Sequence, residues 1–262
     1  MPHTSPLINV MIKAARKAAR GLQRDFGEIE ALQVSRKGAA DFVSAADTRA
    51  EQTLFEELSA ARPKYGLVME ERGEIEGSDN SNRWIVDPLD GTTNFLHGLG
   101  HFAVSIGLER DRQPYAGVIY NPVTDELYYA EKGEGAYLND KRLRVSGRED
   151  LSECLFACGL PFKGIPGREQ ALKEADAVLN QTAGVRRFGS AALDLAFLAA
   201  GRYDGYWERG LNCWDICAGI IIAREAGGLV SEIDGGLNPL HGRSILATNG
   251  VLAEPAKKLL SV

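Results

Sequence analysis

Residues 84–98 read WIVDPLDGTTNFLHG and hold the densest group of reactive side chains in the chain. An apolar triplet leads into Asp87, and Asp90 follows before a turn. Carboxylates that end a short buried strand next to a tight turn are suited to bind divalent cations. The backbone amides of Gly91 and Thr92, with the Thr92 hydroxyl, can face a phosphate. The run therefore indicates metal-assisted phosphate chemistry.

Further acidic residues stand at the ends of other predicted elements. Taken singly, each is better explained as a helix cap or a solvated loop residue. As a set they differ, because Glu70 follows an apolar run just as Asp87 does, so two strands end in carboxylates. Burying such charges is costly unless cations compensate them, and oxygen ligands suit Mg²⁺. The acidic residues of interest are Asp41, Asp47, Glu70, Glu71, Asp87, Asp90 and Asp215.

Two later segments allow a structural and a functional interpretation. Asp215 opens an apolar helix, where it either favours the helix dipole or completes a metal site, and spacing alone leaves both open. Residues 189–192, GSAA, also begin a helix. Ser190 as an N-cap explains them more simply than exposed amides that bind a polar ligand.

Composition excludes several classes of protein. The chain has 262 residues, 44% hydrophobic and 25% charged, which is typical of a globular domain. The net charge of −6 argues against a general nucleic-acid binder. No apolar run approaches the roughly 20 residues that span a bilayer, and the amphipathic N-terminal helix is expected to pack on the domain. The four cysteines are expected to be reduced thiols, which favours the cytoplasm.

Hydrophobic periodicity predicts two regions, residues 1–146 and 147–262. The first has helices at 6–24 and 47–61, the second of them capped by Asp47 or Thr48, and then becomes strand-rich. Strands are predicted at 66–69 and 83–86, with a polar loop between them, before an antiparallel meander to Leu138. After a linker, strands alternate with helices at 169–180, 190–200, 215–226 and 252–260, which favours a smaller α/β unit.

Three motifs carry a family resemblance, and a further two segments extend it over nearly the whole chain. DPLDGTTNF (87–95), EE (70–71) and WDICAGIIIAREAGG (214–228) resemble the inositol monophosphatase family of lithium-sensitive, magnesium-dependent phosphatases. The resemblance is greatest to the bacterial SuhB-like branch. It implies an α/β layered fold, the αβαβα sandwich of the sugar phosphatases, and a homodimer. The two further segments are DFVSAAD (41–47) and GSAALDLAFLAAGRYDGYWE (189–208).

The resemblance also implies a site of two or three Mg²⁺ ions. A weaker third ion would be placed by Glu70 through water. Asp47 would pair with Thr92, and Thr92 with Glu70 would orient or deprotonate the attacking water. The first ion would be held by Glu70, Asp87 and the Leu89 carbonyl, and the second by Asp87, Asp90 and Asp215.

Substrate contacts are implied in the same way. The amides of Gly91 and Thr92 would bind the phosphate. The family's basic residue near the site corresponds to Lys37, and Asn212 stands where some members have histidine. The inositol hydroxyls would face Asp90, Gly189, Ser190, Ala191, Glu208 and Asp215.

The expected reaction is Mg²⁺-dependent hydrolysis of myo-inositol monophosphate by a metal-activated water, with Li⁺ as inhibitor. Alternative substrates are fructose-1,6-bisphosphate, histidinol phosphate, NADP and 3′-phosphoadenosine phosphate. Glu208 favours a polyol, because a carboxylate accepts hydroxyl hydrogen bonds and would repel a second phosphate. An alternative of another class is a regulatory protein that contacts RNA polymerase or Nus factors.

Overall fold

The computed structural model describes residues 4–28, 34–37, 41–162 and 164–262, with the backbone alone for 34–37 and 41–44. Within these ranges the helices are α1 (Pro6–Gly27), α2 (Ala45–Ala61), α3 (Thr92–Leu96), α4 (Arg168–Leu179), α5 (Ala191–Ala199), α6 (Cys213–Glu225) and α7 (Ala253–Leu259). Short 3₁₀ helices lie at Leu151–Glu153 and Pro239–His241.

Fifteen strands are present in the same described ranges. They are β1 (Val34–Lys37), β2 (Asp41–Ser44), β3 (Tyr65–Met69), β4 (Gly73–Ile75), β5 (Asp79–Asp90), β6 (Ala103–Arg110), β7 (Gln113–Asn121), β8 (Glu126–Glu131), β9 (Gly135–Leu138), β10 (Lys141–Arg142), β11 (Leu155–Cys158), β12 (Gly184–Arg186), β13 (Gly205–Arg209), β14 (Leu229–Ser231) and β15 (Ser244–Thr248).

The larger sheet has eight strands in the order β10-β9-β8-β7-β6-β5-β3-β4. From β5 to β10 each strand pairs antiparallel with the next, which confirms the predicted meander. Only β3 and β5 run parallel in it, so both strands end at the same edge of the sheet. This pairing brings the carboxylates that follow the two strands to one place.

Side chains alternate across this sheet and pack against helices on both faces. Trp84 and Val86 of β5 lie in the core under α1 and α2, whereas Ile85 between them packs toward α5 and α6. Because successive strand residues point to opposite faces, a run that is apolar at every position indicates a sheet covered on both sides. The apolar triplet that precedes Asp87 is such a run.

The smaller sheet has five strands in the order β12-β11-β13-β15-β14 and is mixed. Tyr206 and Ala247 pack with α5 and α6 on one face, while Trp207 and Leu246 pack with α4 and α7 on the other. The layers therefore run α1/α2, large sheet, α5/α6, small sheet, α4/α7. This is the predicted αβαβα sandwich, and it is confirmed.

Helix α6 lies unusually close to the large sheet. A Cβ on Gly107 would lie 2.4 Å from the Cys217 sulfur, and one on Gly117 would lie 2.6 Å from the Ala218 carbonyl oxygen. The two glycines face each other across β6 and β7. Because these glycines have no side chains, α6 packs against the backbone of β6 and β7. This close packing sets the distance of Asp215, in the first turn of α6, from the sheet.

The structure also corrects details of the predicted elements. Helix α2 begins at Ala45, so Asp47 lies inside its first turn and is not the N-cap. The polar segment after Glu71 is not all loop, because β4 folds back on β3 as an antiparallel hairpin and β5 begins at Asp79. Within the described ranges, no helix is long and apolar enough to cross a bilayer.

Candidate active site

The strand β5 ends irregularly at the two aspartates of the central motif. Asp87 pairs with Ser105 and Asp90 with Ala103, and the register shifts between them. Pro88 has no amide hydrogen, so it cannot continue the ladder and favours such a bulge. The Leu89 amide donates instead to the Asp87 carboxylate at 2.9 Å. The bulge turns both carboxylates toward the sheet edge.

Gly91 makes the sharp turn into α3. Its φ of 95° is in the left-handed region, and a Cβ there would lie 2.9 Å from the His101 carbonyl oxygen. Only glycine fits this backbone without strain. The Thr92 hydroxyl then donates to the Leu89 carbonyl at 3.0 Å. That carbonyl retains a second lone pair, so the bond is compatible with its predicted role as a metal ligand.

A second acidic group comes from β3 and α2. Carboxylate oxygens of Asp47, Glu70 and Glu71 lie within 4.8 Å of one another, which is a spacing that could hold a metal ion. The buried Glu51 accepts a hydrogen bond from the Glu71 amide at 2.8 Å and so fixes this turn. The sequence interpretation had given Glu71 no metal role.

Two helices complete the site from the other side. The Ser190 hydroxyl donates to Asp90 at 2.5 Å, and the Ala192 amide donates to the same carboxylate oxygen at 2.8 Å. Asp215, in the first turn of α6, accepts from the Asn212 amide at 2.6 Å. The contact between Ser190 and Asp90 thus joins residues that are 100 positions apart in the chain.

The electrostatics of this group are unfavourable without cations. Burial raises the pKa of Asp87 well above its ordinary range, and the charges of Glu70, Asp90 and Asp215 raise it further. Burial, and next the charge of Asp90, also raises the pKa of Asp215 well above its ordinary range. The pKa of Asp90 rises to about 6 through burial, opposed by its hydrogen bonds from Ser190 and the α5 amides. An all-oxygen set of crowded carboxylates is the ligand set of Mg²⁺ and similar hard cations.

Glu208, at the end of β13, lies beside the acidic group. It accepts a hydrogen bond from the Tyr206 hydroxyl at 2.6 Å. Burial raises its pKa to about 7, and the Asp90 charge adds to this, while Tyr206 and Arg187 oppose it. A Cβ on Gly159 would lie only 1.8 Å from the Glu208 carboxyl carbon, so any larger residue there would displace the carboxylate. The carboxylate occupies the space that any other side chain would need.

A cleft of about 440 Å³ opens between these elements. Every predicted substrate-binding residue lines it: Asp90, Gly91, Thr92, Gly189, Ser190, Ala191, Glu208 and Asp215. Asp47, Glu70, Asp87 and Leu89 do not line it. The geometry brings the predicted residues together, while their separate roles stay predictions. The side chains of Lys37 and Asp41 lie outside the described residues.

Three residues near the cleft were missed by the sequence interpretation. Asn94 donates to the carbonyls of His101 and Phe188 at 2.8 and 2.7 Å, and so ties α3 to the turn before α5. Asp194 is 1% exposed, one turn after Ser190. Arg187 lines the cleft. Asn94 carried a signal because it lies inside the central motif, whereas the arginine resembled an ordinary surface residue.

Comparison with known proteins gives one consistent family. The model of the inositol monophosphatase family matches residues 3–261. The chain is similar to an inositol-1-monophosphatase from Mesorhizobium japonicum, with 57% identity over 98% of both chains. It is 42% identical to a Nus factor SuhB from Escherichia coli, over 93% of this chain and 91% of that one.

Solved structures agree with these sequence matches. A suhB protein from Bartonella henselae superposes with a TM-score of 0.95 at 52% identity, covering 98% of this chain and 99% of that one. An IMPase from Thermotoga maritima gives a TM-score of 0.88 at 31% identity, covering 98% and 97%. Similarity therefore extends over the full layered fold.

Proposed function

Because the chain belongs to the inositol monophosphatase family, we propose that its acidic cleft hydrolyses myo-inositol monophosphate to myo-inositol and phosphate with Mg²⁺. The chain is a phosphatase of this family, and the family is metal-dependent. One observation supports the proposal most: carboxylates from α2, β3, β5 and α6 converge beside a polar cleft that contains Glu208.

The donor set fits two or three divalent cations. Glu70, Asp87 and the Leu89 carbonyl would hold one, and Asp87, Asp90 and Asp215 a second. Glu70, beside Asp47 and Glu71, would help to place a third. Bound cations lower the pKa of a coordinated water and neutralise charge on the phosphate.

The protein's own groups would position the water and the phosphate and accept the proton. Asp47 and Thr92 orient the attacking water, and Glu70 accepts its proton. The Gly91 and Thr92 amides hold the phosphate oxygens in place, so that the water attacks in line. The phosphate–oxygen bond to the alcohol breaks, and the leaving alkoxide takes a proton from water near Asp215.

Glu208 and the turn at 189–191 would recognise the alcohol. A carboxylate can accept hydrogen bonds from two adjacent hydroxyls, which suits a polyol ring. The Ser190 hydroxyl donates to Asp90, so the proposed polyol wall is linked directly to a proposed metal ligand. The alternative substrates of the same chemistry remain sugar bisphosphates, histidinol phosphate and phosphorylated nucleotides.

Phosphate release across a panel of phosphate monoesters tests the proposal. The wild-type chain is expected to prefer myo-inositol 1-phosphate, to need Mg²⁺, and to be inhibited by Li⁺. Fructose-1,6-bisphosphate, NADP and 3′-phosphoadenosine phosphate provide the comparison. A clear preference for a nucleotide would contradict the assigned substrate, and activity in the presence of excess chelator would contradict the metal site.

A second candidate function is a contact with the transcription machinery. Relatives at 40–42% identity are named Nus factor SuhB, which is the observation that favours it. Pull-down of Nus factors or RNA polymerase with the Asp87→Asn protein tests it apart from catalysis. Recovery above a control with an unrelated protein supports the contact, and recovery equal to that control contradicts it.

We further propose a cytoplasmic homodimer. Buried reduced thiols suit a reducing compartment, and large apolar side chains near the cleft are exposed, including Leu99, Phe162 and Phe188. Exposed apolar surface of this kind is typical of a protein interface. Light scattering measures the assembly directly, and a mass of one chain at micromolar concentration would contradict the dimer.

A further inference from the structure

Arg187 differs from the arginines that serve the fold. Several of those pair with buried carboxylates, as Arg83 does with Glu109. Arg187, among the residues that the structure describes, makes no ion pair within 4.0 Å and only one long hydrogen bond, from Nη2 to the Leu160 carbonyl at 3.5 Å. Further pairs with buried carboxylates are Arg49 with Asp25, Arg72 with Glu51, Arg148 with Asp204, and Arg209 with Glu174.

The position of this guanidinium is specific. Arg187 lines the catalytic cleft, and its Nη1 lies 2.6 Å from the point where a Cβ on Gly189 would stand. The group therefore covers the turn that leads to Ser190, on the wall assigned to the alcohol. Burial raises the pKa of Glu208 to about 7 and that of Asp194 well above its ordinary range, and the charge of Arg187 opposes both rises without pairing with either carboxylate.

We propose that Arg187 determines specificity by binding a second phosphate group carried on the alcohol of the substrate. This rests on the proposed function, because it concerns the same cleft and the same reaction. A guanidinium has five N–H donors in a planar fork that matches phosphate geometry, and at Arg187 nearly all of them are available. Among the described residues that line the cleft, the other charged groups are the carboxylates of Asp90, Glu208 and Asp215.

A phosphate-binding Arg187 would change the substrate preference that Glu208 alone leads us to expect. A single carboxylate in the cleft would repel a second phosphate, which argued for simple polyol monophosphates. With a cation on the same wall, a ring hydroxyl can donate to Glu208 while a neighbouring phosphate binds Arg187. Polyol bisphosphates thereby become substrates, with the phosphate at the metal site being the one that is hydrolysed.

The test compares myo-inositol 1-phosphate with myo-inositol 1,4-bisphosphate by phosphate release under Mg²⁺. Arg187→Gln is expected to lower the ratio of kcat/KM for the bisphosphate to kcat/KM for the monophosphate by about tenfold to a hundredfold. Arg186→Gln is the matched control, because Arg186 is exposed, lies off the cleft and bonds only the Val185 carbonyl within the described part of the chain. It should leave the ratio unchanged.

Salt provides a readout that a merely structural role would not change. In the wild-type chain the KM for the bisphosphate should rise more steeply with ionic strength than the KM for the monophosphate. In Arg187→Gln the two slopes should become equal. Thermal unfolding of each variant verifies that the exposed substitutions leave the fold intact.

The outcomes separate the two proposals. A wild-type chain that hydrolyses the monophosphate but neither hydrolyses nor is inhibited by the bisphosphate would overturn the role of Arg187 and leave the proposed function standing. An unchanged ratio in Arg187→Gln would do the same. A wild-type chain that releases phosphate from neither compound would overturn both.

Discussion

Buried carboxylates near the two ends of β5 have opposite kinds of charged neighbours. Glu109 of β6, opposite Arg83 near the start of β5, is 3% exposed, forms an ion pair with Arg83 and lies in hydrogen-bond contact with the His241 ring nitrogen at 2.6 Å. Asp87, at the other end, is 2% exposed and is surrounded by further carboxylates. Burying a charge is costly without a partner. The first carboxylate has protein partners, and the second is arranged for partners that the chain does not supply.

The same division holds elsewhere in the described chain. Asp204 is fully buried and pairs with Arg148, and it also accepts hydrogen bonds from Ser146 and the Leu155 amide. Such carboxylates link segments and belong to the fold. Among the crowded carboxylates at the cleft, Asp90 also links segments, through Ser190 and the Ala192 amide, but Asp87 is surrounded by like charges. We therefore expect the two classes of buried carboxylate to respond differently when the carboxylate is replaced by an amide.

The largest effect is expected for Asp87→Asn. Losing the carboxylate shared by two predicted ions should lower kcat by about a thousandfold or more, since metal ions supply several kcal/mol of charge stabilisation. The metal-free protein should become more stable, because like-charge repulsion falls. Phosphate release and urea unfolding measure both. Asp79→Asn, on the same strand but away from the site, is the control, and near-normal kcat in folded Asp87→Asn would contradict the comparison.

Glu109→Gln should have the opposite profile. Removing the carboxylate leaves Arg83 with the exposed Glu74 as its remaining ion-pair partner and breaks the contact with His241, which should lower the free energy of unfolding by about 2 kcal/mol. The kcat of the folded fraction should stay near normal. Urea unfolding and assays below the transition separate the two effects. A fall in kcat like that of Asp87→Asn would show that the two ends of β5 are not distinct.

Gly159→Ala tests the alcohol wall. The added methyl group would overlap the Glu208 carboxylate, so Glu208 must move away from the cleft. We expect the KM for myo-inositol 1-phosphate to rise about tenfold, which corresponds to one lost charge-assisted hydrogen bond. Gly21→Ala, on α1 with open space around it, is the matched control. An unchanged KM would mean that Glu208 does not contact the substrate.

The smallest effect is expected for Ser190→Ala. Ser190 caps α5 and donates to Asp90, so its loss should lower the free energy of unfolding by about 1 kcal/mol. Ser190→Thr keeps the hydroxyl and should restore most of that stability. Equal stability of the alanine and wild-type proteins in urea would show that this link between the two walls carries little energy.

The sequence was sufficient for the fold and for most of the cleft. Apolar runs and their period placed the meander and the α/β unit, because burial on one or both faces leaves a direct pattern. The central motif and the family resemblance placed the carboxylates that meet at the cleft. The predicted division at residues 146 and 147 falls between β10 and β11 and stays a proposal, since α5 and α6 from beyond it pack on the first sheet.

What the sequence did not show depends on contacts between distant residues. Asp194 and Arg187 carry no local sequence signal, because the burial of the first and the place of the second on the cleft wall depend on how the chain around α5 packs. The hairpin of β4 was missed because its polar residues are typical of a loop. Asp47 was predicted as a cap from its type, but α2 begins earlier and leaves it inside the first turn.

Calorimetric titration of metal-free protein with Mg²⁺ measures whether cations hold these carboxylates together. We expect saturable binding to the wild-type chain and to folded Glu109→Gln, and weakened or lost binding in Asp87→Asn. Binding should also raise the unfolding temperature of the first two proteins, because only the folded state holds the ligands together. Asp87→Asn that binds Mg²⁺ as the wild type does would contradict the claim that these carboxylates are kept together by cations.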